Sequence, residues 1–263
     1  VKEIPAAIET PVPSVSGFFG YAVIGALVGI LPVALGLLWL PALRQASAAW
    51  LSAFMALTAG LLAFLGVSAL AEAFELQAAL PASLGGSGLI LLGAVLSFLG
   101  MTALAGRLST GGTTTGLALA FLVAIGIGVH NLGEGLAIGA SFALGELQLG
   151  TFLIVGFMIH NVTEGLGIAT PVAKTRVTIL TLVGLVLVAG APTIFGAWIG
   201  GYTSNDVLGA LFFAIAAGAA FQVVVEVGRY VARNAPGGLR SGYAIVGFLA
   251  GIATMFVTGI LAG

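Results

Sequence analysis

From residue 17 to residue 262 the chain is written as eight apolar runs joined by short polar connections. The runs cover about 17–40, 49–71, 85–106, 113–145, 149–170, 176–200, 206–228 and 242–262. Roughly 20 apolar residues in helical form span a hydrocarbon core of about 30 Å, so each run is long enough to cross a bilayer. The expected fold is all-α: a polytopic membrane protein of eight transmembrane helices in a single domain, 1–263. Composition agrees, since 6% of residues are charged and 60% are hydrophobic, against about 25% charged in soluble proteins. A net charge of −1 argues against a nucleic-acid partner. With no cysteine, disulfides, thiolate metal sites and thiol redox chemistry are excluded together. The 41 glycines would let helices approach closely and would allow a homodimer.

Residues 1–16, with Lys2, Glu3, Pro5, Glu9, Pro11 and Pro13, read as an extracellular polar lead-in. The run after it is too long for a signal-peptide core and is expected to be the first spanning helix, kinked at Pro32. Charge then tests the count of eight. Arg44, Arg107, Lys174, Arg176, Arg229, Arg233 and Arg240 all follow odd-numbered runs, whereas the opposite side receives Lys2 with Glu3, Glu9, Glu72, Glu75, Glu146 and Asp206. This positive-inside pattern puts both termini outside a cell membrane, in the extracellular or periplasmic space.

Three acids remain, Glu134, Glu164 and Glu226, and two of them belong to a repeated phrase. His130-Asn131-Leu132-Gly133-Glu134-Gly135 in the fourth run returns as His160-Asn161-Val162-Thr163-Glu164-Gly165 in the fifth, and these are the only two histidines. On a helix, positions i and i+4 share a face, so each phrase presents an imidazole and a carboxylate one turn apart. In an antiparallel hairpin, residues at equal depth have numbers with a constant sum. His130 with Glu164 and Glu134 with His160 satisfy this for a hairpin centred at position 147, within Glu146-Leu147-Gln148. The cluster then lies roughly 20–26 Å below the hairpin tip, at mid-membrane or somewhat past it.

An intramembrane His-Glu pair can be a packing residue with its partner, a proton relay or a metal site. Two copies on facing turns favour metal. Neutral imidazole, carboxylate and the Asn carbonyl suit zinc, cadmium, iron or manganese, and a divalent ion offsets two buried carboxylates. Glu226, with Gln222 before it and Arg229 after it, is either an interfacial Glu-Arg pair or a carboxylate at the inner mouth of a cation pathway. Glu72 and Glu75 are expected in solvent at the outer end of the second run, where they could attract cations, and Glu146 and Asp206 read as loop charges.

The paired phrases on consecutive helices resemble those of the ZIP (Zrt/Irt-like) family of divalent-metal transporters, in particular its GufA-like prokaryotic branch. The resemblance extends over the whole chain through helix count and external termini. It implies a transport site at His130, Asn131, Glu134, His160, Asn161 and Glu164, with Glu226 toward the cytoplasmic exit and Ser68 near the site. It also implies that zinc, or alternatively cadmium, iron or manganese, is carried into the cell as substrate, with no bound cofactor and no enzymatic activity. Alternating access, with the fourth and fifth helices moving against a scaffold, is the mechanism that follows. Two features depart from the family. Ala191-Pro192 stands where two-metal members keep a Glu before the Pro, so one principal ion is expected, and Ser109-Thr110-Gly111-Gly112 replaces a long His-rich loop.

The rival readings are a passive cation channel using the same residues and an intramembrane metal-dependent hydrolase. The second lacks the His-Glu-x-x-His phrase, because Asn131 and Asn161 occupy the position of its general base.

Overall fold

The computed structural model describes residues 14–79, 86–109, 114, 116–203 and 206–262. The lead-in up to Pro13 and most of the short connection 110–115 lie outside the described residues. Among the described residues, eight helices are long and apolar enough to cross a membrane: α1 Val15–Gln45, α2 Ala48–Glu75, α3 Ser87–Leu108, α4 Gly116–Ala143, α5 Leu147–Val172, α6 Ile179–Tyr202, α7 Asp206–Asn234 and α8 Gly242–Ile260. No strand occurs among the described residues.

Local chemistry sets the ends. Ser47 caps α2 by accepting from the Trp50 N–H at 3.4 Å, and Thr178 caps α6 by accepting from the Thr181 N–H at 3.2 Å. α7 runs six residues beyond the expected end at 228, because Arg229, Arg233 and their neighbours propagate a helix well and no proline intervenes before Pro236. The hairpin turn also differs from expectation. Gly145, at φ +76°, closes α4, with Glu146 N–H donating to Ser141 O at 2.9 Å and Gly145 N–H to Phe142 O at 3.1 Å. This left-handed glycine stop shifts the turn to 144–146, so Leu147 and Gln148 already belong to α5.

Two helices are irregular where proline falls. α1 widens into a π-helical turn at Ala26–Ile30 immediately before Leu31-Pro32, so the expected kink is spread over a turn. α6 consists of Ile179–Gly190 and Pro192–Tyr202 with Ala191 between them. Both breaks face the α4–α5 hairpin.

Packing divides the helices into two sets. α2 lies along α7 and α8, with α3 against α7, while α4 lies along the second half of α6 and α5 along the middle of α1. Small residues make the second set tight. A side-chain carbon on Gly135 would run into the Thr193 carbonyl, and one on Gly165 would meet Val33 O and approach Gly36 Cα to 2.9 Å. The charge pattern survives folding: Lys174 Nζ donates to the Arg44 and Ala46 carbonyls at 2.6 and 3.1 Å, which joins two of the basic connections at one end of the bundle.

Gly165→Ala is expected to force α1 and α5 apart and cost about 1–3 kcal/mol, as overpacking does. Thermal unfolding of the detergent-solubilised protein checks this against Gly88→Ala, where nothing lies within 4 Å of the new carbon. Equal melting temperatures for the two variants would contradict the close approach.

Candidate metal centre

α4 and α5 carry the two phrases to the same depth, as the hairpin register requires. The side-chain ligand atoms of His130, His160 and Glu164 lie within 4.8 Å of one another, an arrangement able to hold a metal ion. Glu134 completes the group from the other side. Its Oε1 pairs with His160 Nε2 and lies 3.3 Å from His130 Nε2, so one oxygen faces two imidazoles. Phe157 stacks edgewise on His160 at 5.4 Å between ring centres, which fixes that ring's plane.

All of this is buried. Glu134 is 3% exposed, Glu164 1% and His160 6%, with His130 somewhat more open. Among the described residues, neither carboxylate oxygen of Glu164 has a hydrogen-bond partner. Asn131 is beside it, but its amide nitrogen donates to the Ala189 carbonyl at 3.0 Å. A buried carboxylate without hydrogen bonds is costly, by several kcal/mol in ordinary circumstances, unless a cation or a proton meets it.

The two asparagines do something that sequence reasoning missed. Pro32 has no N–H to offer the carbonyl four residues earlier, Val28 O, and Asn161 Nδ2 donates to that carbonyl at 3.0 Å. At the other break Asn131 Nδ2 donates to the Ala189 carbonyl, three residues before Pro192. Asn161 Nδ2 also reaches Glu134 Oε2 at 3.1 Å. Each amide therefore ties the hairpin to an irregular helix through its nitrogen. Its oxygen, buried and without a partner, stays available as a neutral donor atom. The signal was present in the sequence as two Asn and two intrahelical Pro, but the pairing joins residues more than 50 positions apart.

A cavity of about 480 Å³ leads to the group, lined at its base by His130, Glu134 and His160 and at its mouth by Glu72 and Glu146. Ser68 lines it as well. Glu146 is thus more than a loop charge, because the tight turn at Gly145 places it at the entrance. The cavity opens toward the acid-bearing ends of the helices.

Glu226 does not join the cluster. Gly133 faces Phe213 and Gly126 faces Val223, so α7 runs antiparallel to α4, and His130 comes level with about residue 217. At 1.5 Å per residue Glu226 lies roughly 13 Å further along, toward the basic end. There it is 5% exposed, with Arg229 Nη1 donating to Oε1 at 2.6 Å, Gln222 Nε2 to the same oxygen at 3.4 Å and Thr114 Oγ1 to Oε2 at 3.2 Å. Thr114 was not singled out in the sequence, since a threonine in a polar connection carries no local signal.

No protein-family model matches the chain, and no curated protein is significantly similar to it.

Asn161→Ala should leave Val28 O and Glu134 Oε2 each short of a donor and lower stability by about 1–3 kcal/mol. A thermal melt in detergent measures it; an unshifted midpoint would show that the tie to Val28 carries no weight.

Proposed function

We propose that this protein carries a divalent transition-metal ion across a cell membrane, with His130, His160, Glu134 and Glu164 as the transport site. The observation that carries the reading is Glu164: a buried carboxylate with no hydrogen bond to either oxygen among the described residues, grouped with two imidazoles that themselves line a cavity. An ion seated there would take Nε2 of both histidines, which already converge on Glu134 Oε1, and would balance both carboxylates. The Asn131 and Asn161 carbonyl oxygens can complete the coordination. Zinc is the expected cargo, with cadmium, iron and manganese admitted by the same ligands. The likeness of the two phrases to those of ZIP-type transporters points the same way.

Direction follows from charge. Seven basic residues at one end of the bundle mark it as cytoplasmic, so the acidic cavity mouth faces outward and transport is uptake. Glu72 and Glu146 raise the local cation concentration at that mouth. Alternating access is supported over a continuous pore: the cavity reaches the site from the acidic side, while on the basic side Glu226 is held by Thr114, Gln222 and Arg229. The moving part in this scheme is the hairpin with α1 and α6, sliding against α2, α3, α7 and α8.

Purified protein in liposomes should take up zinc, and by the same route cadmium, manganese or iron, with saturable kinetics. Uptake should fall to background in Glu134→Ala/Glu164→Ala, while size-exclusion behaviour in detergent stays native. Transport unchanged in that double variant would end the assignment, and flux rising linearly with metal would replace the carrier by a channel. Glu226→Gln should lower the maximal rate while leaving metal binding intact.

A further inference from the structure

At the basic end of the bundle a hollow of about 500 Å³ is lined by Arg44, Ala173, Lys174, Thr175, Arg176 and Val177. It lies between the last turn of α1 and the turn that joins α5 to α6, so cations from two segments share one concavity. Like charges lining one hollow repel, and exposed side chains ordinarily relieve this by splaying into water. Lys174 does not splay. Its Nζ donates to the Arg44 and Ala46 carbonyls at 2.6 and 3.1 Å, which fixes the ammonium at the joint between the segments. An ammonium has three N–H groups, and these two bonds leave one for a further acceptor. Carbonyls accept those bonds without cancelling the charge. Among the described residues no carboxylate pairs with Arg44, Lys174 or Arg176, and the one acid toward this end, Glu226, is held by Arg229. The balancing anion therefore has to come from outside the chain.

The flanks say what kind of anion fits. Leu38 and Trp39 precede Arg44 on α1, and Ile179 and Leu180 follow Arg176 at the start of α6; all four are more than half exposed. The hollow thus sits where lipid-facing apolar surface ends on both segments, which is headgroup depth in a bilayer. A ligand that joins a phosphate to acyl chains meets both parts, whereas a soluble phosphate meets only the first. We propose that this hollow binds the phosphate of an anionic phospholipid from the leaflet at the basic end. The Arg44 and Arg176 guanidinium groups supply planar forks suited to phosphate oxygens, and Lys174 supplies its remaining N–H. Basic residues scattered at headgroup level would attract anionic lipid about equally at every connection. A built site confines the preference to one. The site stands apart from the transport reading and is tested without metal.

Native mass spectrometry of the full chain in neutral detergent counts the lipid retained from added phosphatidylglycerol or phosphatidylcholine. One phosphatidylglycerol should be held about tenfold more tightly than phosphatidylcholine. Arg44→Gln/Arg176→Gln should remove that preference. Arg107→Gln/Arg240→Gln takes the same charge from two other connections at this end and should leave it intact. Equal retention of the two lipids in the native protein overturns the proposal. So does a preference that survives Arg44→Gln/Arg176→Gln, or one lost equally in the Arg107→Gln/Arg240→Gln pair. Displacement of the lipid by millimolar glycerol 1-phosphate would give the hollow to a soluble phosphate and overturn its lipid occupant. All four arginines are exposed, so these substitutions are compatible with folding, which elution as a single species verifies.

Discussion

Two carboxylates deep in an apolar bundle dictate most of what surrounds them. Glu134 is met by two imidazoles and an amide, and Glu164 by no hydrogen bond at all. Lipid and apolar protein offer no water to share that cost. The hairpin register that brings both pairs to one level, the Asn ties and the cavity reaching one face all follow from having to accommodate this charge. The same demand explains why the two His-Glu pairs stand on neighbouring helices joined by a tight turn. A three-residue connection with one left-handed glycine leaves little freedom in their relative height.

Much of this was legible in the sequence because it depends on local or periodic information. Apolar run length gave the helix count, and the alternation of basic and acidic connections gave the two ends. The four-residue spacing of His and Glu gave the facing pairs. His160 meeting Glu134 needed only the hairpin assumption. The less legible features depend on contacts between distant segments. Val28 and Ala189 offer backbone carbonyls, which no side-chain pattern advertises. Thr114 reaches Glu226 across 112 positions. The turn was misplaced by a few residues because the polar character of Glu146 and Gln148 suggested a loop, whereas the positive φ of Gly145 decides where the helix stops.

The helices touch differently within the sets and between them. Within each set glycine lets backbone meet backbone, as where Gly165 abuts Val33 and Gly36 and where Gly247 abuts Ala53. Between the sets the contacts at the hairpin are side-chain ones, such as Phe213 against Gly133 and Val223 against Gly126. Backbone-to-backbone seams resist sliding because carbonyls and α-carbons cannot change rotamer, while side-chain seams can re-form in a new register.

The proline breaks carry a last consequence. Since Pro32 frees the carbonyl that Asn161 captures, and Asn161 also holds Glu134, a residue in the first helix helps to set where a carboxylate in the fourth helix points. The connection runs from a missing N–H to an amide to a carboxylate, three covalently unrelated parts in series. The Glu134 carboxylate is thus under the influence of a position with no N–H of its own to give. Natural variation at Pro32 would then be a means of re-aiming that carboxylate without altering any residue of the buried group.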